Sequence, residues 1–139
     1  MSADAPTSPS SILLADDEPG MRDLFRYCFE PSGHEIDTAV DGLEALEAVR
    51  RRAYDLIVLD VHMPRMTGPQ ALIEIYKLRP QQKVLILSSS SDLGHTFEDS
   101  ASRRGIPCLF KPISLDELTE AIDALLGSST GGNQERISD

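Results

Sequence analysis

Four consecutive apolar residues, Leu56-Ile57-Val58-Leu59, stand between Asp55 and Asp60. So short a run, rich in β-branched types and with no polar side to show water, reads as a strand covered on both faces. That is the situation of a parallel sheet held between two layers of helices. Asp60 ends the run, and Pro64 forbids the strand from continuing. In open α/β sheets, functional groups collect in the crevice at the carboxyl ends of the strands. By itself Asp60 reads as a loop-starting carboxylate, and the other strand ends change that reading.

The same alternation runs through the whole chain. Ile12-Leu13-Leu14-Ala15 ends in Asp16-Asp17-Glu18, and Pro19 suits a first helical position. Met21, Leu24, Phe25, Cys28 and Phe29 then share one helix face, which gives Cys28 a packing role, and Pro31-Ser32-Gly33 stops the helix. His34 to Ala39 reads as a second, edge strand. Asp41 and Glu44 form a capping box opening a helix from Gly42 to about Arg52, and Arg50-Arg51-Arg52 reads as its solvated end. Gly68-Pro69 starts a third helix, carrying Leu72, Ile73, Ile75, Tyr76 and Leu78 and closed by Pro80. Lys83 to Leu87 is a fourth strand, followed by a serine run from Ser88. The segment from about His95 to Arg104 has only Phe97 and Ala101 as an apolar face, which predicts a weakly held helix ended by Gly105. Cys108-Leu109-Phe110 is a short fifth strand ending in Lys111-Pro112. A second capping box, Ser114 with Glu117, opens the last helix, with Leu115, Leu118, Ile122, Leu125 and Leu126 as its stripe.

Five such units predict an α/β fold: a doubly wound, five-stranded parallel sheet in the flavodoxin-like order 2-1-3-4-5, with helices on both faces. Residues 1–10, rich in Pro and Ser, and 127–139, rich in Gly and Ser, read as disordered tails around one domain at 11–126. With 139 residues, the chain is long enough for one sizeable core. Its formal charge of −10 argues against nucleic-acid or anionic-membrane partners, whose phosphates call for an excess of Lys and Arg. The sequence has neither a signal peptide pattern nor a spanning run, and Cys28 and Cys108 form no CxxC pair. Free thiols in a reducing compartment, the cytoplasm, are the expectation. The three histidines are too scattered for a zinc site, and His34 and His95 read as surface residues.

Collected at one sheet edge, the strand ends supply Asp16 and Asp17, Asp60, Ser88 and Lys111. Three carboxylates brought together ionise comfortably only around a cation. Carboxylate oxygens, a backbone carbonyl and waters suit Mg²⁺. A hydroxyl and an ammonium opposite them suit phosphoryl oxygens, so the set looks built to place a phosphoryl group on Asp60. Taken singly, Asp16 and Asp17 read as helix-capping residues, Ser88 as loop polarity, Lys111 as a solvated lysine and Gly68 as a turn residue.

In order along the chain, Asp16-Asp17-Glu18-Pro19, Asp60-Val61-His62-Met63-Pro64-Arg65-Met66-Thr67-Gly68, Ser88-Ser89 and Lys111-Pro112 resemble the receiver domains of two-component response regulators, over roughly Ser11 to Leu126. The resemblance is to single-domain, chemotaxis-regulator-like receivers. It implies that Asp60 accepts phosphate from the phosphohistidine of a histidine kinase or phosphotransfer protein. It implies Mg²⁺ held by Asp17 and Asp60, by Asp16 through water, and by the backbone carbonyl of His62. Ser88 would hydrogen-bond the phosphoryl group and move inward on activation, and Lys111 would pair with a phosphoryl oxygen beside a cis bond to Pro112. The expected function is a stand-alone response regulator, signalling through an unnamed protein partner or by phosphorelay. It would phosphorylate and dephosphorylate itself and act on no external substrate.

Three positions depart from the family's pattern or vary within it. Cys108 stands where the family usually has Tyr or Phe, and Phe110 is out of register to replace it. The approach Gly105-Ile106-Pro107 is one residue short, which together with the thin helix before it predicts a mobile face. His62, two residues after the acceptor, occupies a variable position that can tune phosphate lifetime. An altered switch makes a phosphate-independent pseudo-receiver the nearest alternative. A haloacid-dehalogenase-type phosphatase would need its nucleophile on the first strand in a DxD pattern. A flavin carrier would need a Ser/Thr/Gly-rich first loop, where Asp16-Asp17-Glu18 repels phosphate.

Overall fold

The computed structural model describes residues 9–89 and 96–127. Five parallel strands form one sheet: β1 (Ser11–Ala15), β2 (Glu35–Ala39), β3 (Leu56–Asp60), β4 (Val84–Ser89) and β5 (Cys108–Lys111). Their order is 2-1-3-4-5, as the alternation predicts. The helices are α1 (Pro19–Phe29), α2 (Gly42–Arg51), α3 (Gly68–Leu78), α4 (Thr96–Arg103) and α5 (Leu115–Gly127). The N- and C-terminal tails and the segment 90–95, which holds His95, lie outside the described residues, apart from Pro9, Ser10 and Gly127.

Side chains alternate across the pleat, so each central strand feeds two cores. Leu13, Ile57, Leu59 and Ile86 pack with Ala45, Val49, Ala71, Ile75 and Ala101 on the α2–α3–α4 side. Ile12, Leu14, Val58, Leu85 and Leu87 pack with Phe25, Phe29, Leu118 and Ile122 on the α1–α5 side. Cys28 joins the second core as its position on the α1 stripe predicts. Every residue of β3 is buried, and β2, at the edge, is half-exposed.

Hydrogen bonds at the helix starts follow the predicted caps. Asp41 accepts from the Glu44 N–H at 2.9 Å, although the Glu44 carboxylate returns to Val40 N, one residue earlier than a capping box requires. Ser114 and Glu117 exchange both bonds at 3.0 Å. An unpredicted capping box, Thr67 with Gln70, starts α3.

The helical stripes are narrower than their apolar residues. On α3, Ala71, Leu72 and Ile75 are buried, but Ile73 is 60% exposed and Leu78 is also exposed, as is Leu115 on α5. Two residues from a buried position, Ile73 is turned through roughly 200° of helix and cannot reach the core. His34 is half-buried, its Nδ1 accepting from the Ser10 N–H at 3.0 Å, where a surface role is expected. Arg52 likewise does more than end α2: it pairs with Glu35 and Asp37 of β2 and covers the Tyr54 ring at 4.9 Å.

Candidate functional site

Four of the five strands deliver the site to the carboxyl edge of the sheet. Asp16 and Asp17 follow β1, Asp60 is the last residue of β3, Ser88 lies near the end of β4, and Lys111 ends β5. Asp60 pairs with Leu87, and Ser89 with Lys111, so parallel register sets these ends side by side.

Asp16 is fully buried, Asp60 nearly so, and Asp17 exposed; one oxygen from each lies within 4.8 Å of the others. The Lys111 ammonium reaches Asp16 Oδ2 at 3.1 Å, Asp60 Oδ1 at 3.2 Å and Glu18 Oε1 at 3.4 Å. The Lys111–Pro112 bond is cis. Asp16 Oδ1 also accepts from the Glu18 N–H at 3.0 Å, a turn bond before α1; the helix start at Glu18 has no side-chain cap, so neither Asp16 nor Asp17 caps it.

Burial, then the charge of Asp16, pushes the Asp60 carboxyl up to about 6 against the pull of Lys111. Burial raises Asp16 as well. Burial alone would lower Lys111, but the Asp60 and Asp16 charges outweigh it and hold the ammonium above its ordinary value. Three hard oxygen donors around one point, two of them, Asp16 and Asp60, sharing the Lys111 ammonium, fit a small divalent cation in chemistry and spacing.

The loop after β3 is tied down by its own backbone. Gly68 N donates to Val61 O, and Gly42 N to Met66 O, both at 2.9 Å. Arg65, at φ 65°, places its Nε 2.7 Å from Asp41. A Cβ on Gly68 would stand 2.3 Å from the Asp60 carbonyl oxygen, so this glycine serves close approach of α3 to β3, not a turn. His62 is exposed on that loop.

Ser88 is buried, and its hydroxyl donates to the carboxylate of Glu98 on α4. Ser89 is half-buried. Cys108, also half-buried, packs toward the α4 core, and burial, followed by the charges of Glu98 and Asp99, pushes its thiol up to about 11. Phe110 pairs with Ser88 in the sheet and is 40% exposed. The residue patterns singled out neither Glu98, nor the clamp of Arg65 on Asp41, nor the Glu18 contact with Lys111. For Glu98 a signal exists: it stands three residues before Ala101, on the buried stripe of α4.

The response regulator receiver domain pattern matches residues 12–123. The chain belongs to that family. The receiver is 33% identical over 129 residues to the transcriptional regulatory protein GlrR of Escherichia coli strain K12, covering 92% of this chain and 29% of that protein. It therefore spans under a third of GlrR. It is 29% identical over 115 residues to sporulation initiation phosphotransferase F of Bacillus subtilis strain 168, covering 83% of this chain and 92% of that protein. A crystal structure of a response regulator receiver domain protein from Clostridium thermocellum matches with a TM-score of 0.76 at 28% identity, covering 86% of this chain and 96% of that one. Receivers of two-component systems are phosphoacceptors that generally bind Mg²⁺ at an acidic pocket and interact with histidine kinases or phosphotransfer proteins. Among the described residues, no helix is long and apolar enough to cross a membrane.

Proposed function

We propose that Asp60 accepts a phosphoryl group from the phosphohistidine of a sensor histidine kinase or phosphotransfer protein, and that a protein partner reads the phosphorylated state or takes the phosphoryl group onward. The observation that carries this reading is the buried Asp16–Asp60 pair sharing the Lys111 ammonium at the carboxyl edge of the sheet. An Asp60 carboxylate oxygen forms the new O–P bond as the N–P bond to the donor imidazole breaks. The bonding pair returns to the imidazole nitrogen, and with the donor's other ring nitrogen protonated beforehand the ring leaves as neutral imidazole. Burial removes water from Asp60, and Lys111, 3.2 Å away, offsets the negative charge gathered by the incoming group. Asp16, Asp17, Asp60 and the His62 backbone carbonyl would hold Mg²⁺, which when bound neutralises phosphoryl oxygens. Ser88 donates to a phosphoryl oxygen on the side away from the carboxylates. The working unit is residues 11–126, acting on no external substrate in the cytoplasm.

Intact mass after mixing with acetyl phosphate and Mg²⁺ tests this reading. One phosphoryl mass on the wild type is expected, lost with EDTA and absent from Asp60→Asn. A folded wild type that gains no mass at rapid-quench times turns the reading toward a phosphate-independent interaction module.

A further inference from the structure

Ser88 and Glu98 form a buried pair between the end of β4 and the first turn of α4, with both residues closed to solvent. A serine hydroxyl carries one proton, and an ionised carboxylate can only accept. In the phosphoryl-acceptor reading, on which this inference rests, that proton belongs to a phosphoryl oxygen on Asp60, which also only accepts. One donor therefore faces two acceptors, and it can satisfy one at a time.

We infer that Glu98 is a positioning residue acting through Ser88: it holds the hydroxyl in the unphosphorylated receiver, and phosphorylation of Asp60 takes the hydroxyl away and releases α4. Once Ser88 turns to the phosphoryl group, Glu98 is left as a buried carboxylate without its donor, which is strongly unfavourable. Relief comes from carrying the carboxylate to water. α4 can do so cheaply, because Ala101 is its one buried apolar residue and Phe97 is half-buried. Cys108, opposite Ile86 on the strand next to β4, packs on the α4 side of the sheet, where the charge of Glu98 reaches its thiol.

Equilibrium binding of beryllofluoride, a tetrahedral phosphoryl mimic, to the full chain with Mg²⁺ tests this in a double-mutant cycle. Glu98→Gln keeps the shape but can donate an N–H to Ser88 Oγ, leaving the hydroxyl free. It should bind beryllofluoride about tenfold more tightly than wild type, the scale of one charge-assisted hydrogen bond. In a Ser88→Ala background the same substitution should change nothing. Hydrogen exchange of the α4 amides, residues 97–103, should speed up in wild type on beryllofluoride binding, and this measurement carries the test if Glu98→Gln does not fold. Equal affinities of wild type and Glu98→Gln, an equal gain with Ser88→Ala, or unchanged α4 exchange would overturn the coupling alone. Absence of binding by wild type overturns the phosphoryl-acceptor reading, and the coupling with it.

Discussion

At Asp60 the fold works against its own charge. Burial and the Asp16 carboxylate lift this group from the ordinary 3.8 to about 6, so the ionised form destabilises the folded protein at neutral pH. Removing the charge should help the fold in the absence of metal. Asp60→Asn is expected to raise unfolding stability in Mg²⁺-free buffer at pH 7.5 by about 2 kcal/mol, read from urea melts. Added Mg²⁺ should stabilise the wild type more than the variant, because the variant has lost one anionic ligand. A wild type as stable as the variant would mean that Lys111 already balances the cluster.

At the scale of elements, the end of β3 depends on how closely α3 approaches it. The first turn of α3 is capped by Thr67 and Gln70, and its Gly68 backs directly onto the Asp60 carbonyl. A methyl group there meets backbone, Asp60 O at 2.3 Å and Val61 Cα at 2.9 Å, and backbone cannot swing aside as a side chain can. Gly68→Ala should therefore cost about 3 kcal/mol in urea melts and lower the yield of phosphorylated protein together with it. A substitution that left both unchanged would show that the α3 start can retreat without moving Asp60. The α4 element stands at the other extreme, with little apolar surface buried, which suits its proposed release.

Across the whole molecule, Tyr54 joins the α2–β3 connection to the edge strand. Its hydroxyl donates to Asp37 Oδ2 on β2 at 2.6 Å, and burial, then that bond, pushes its pKa up to about 12 from 10. Folding thus favours the protonated phenol. The stability it contributes is complete below pH 10 and is lost as the pH rises from 10 toward 12. Tyr54→Phe should lower stability at pH 7 by about 1 kcal/mol and flatten the alkaline fall between those values, measured by urea melts across the pH range. An unchanged alkaline limb would place that pH dependence elsewhere.

Strand positions, helix caps and the edge at which the carboxylates gather were legible in the sequence because each depends on local periodicity and chain direction. Once Leu56–Leu59 must be covered on both faces, the crossovers between parallel strands put Asp16, Asp60, Ser88 and Lys111 at one edge. What the tertiary structure decided are contacts that no periodicity records. Lys111 bonds Asp16 across 95 residues of chain, and which carboxylates share the ammonium depends on side-chain reach and burial at that point. Ile73 and Ile75 look alike in sequence, and only helix rotation against the sheet leaves one in water and the other in the core. Glu98 is a charged residue on a short polar helix until the packing of α4 against β4 closes it from solvent and gives it Ser88 as its donor.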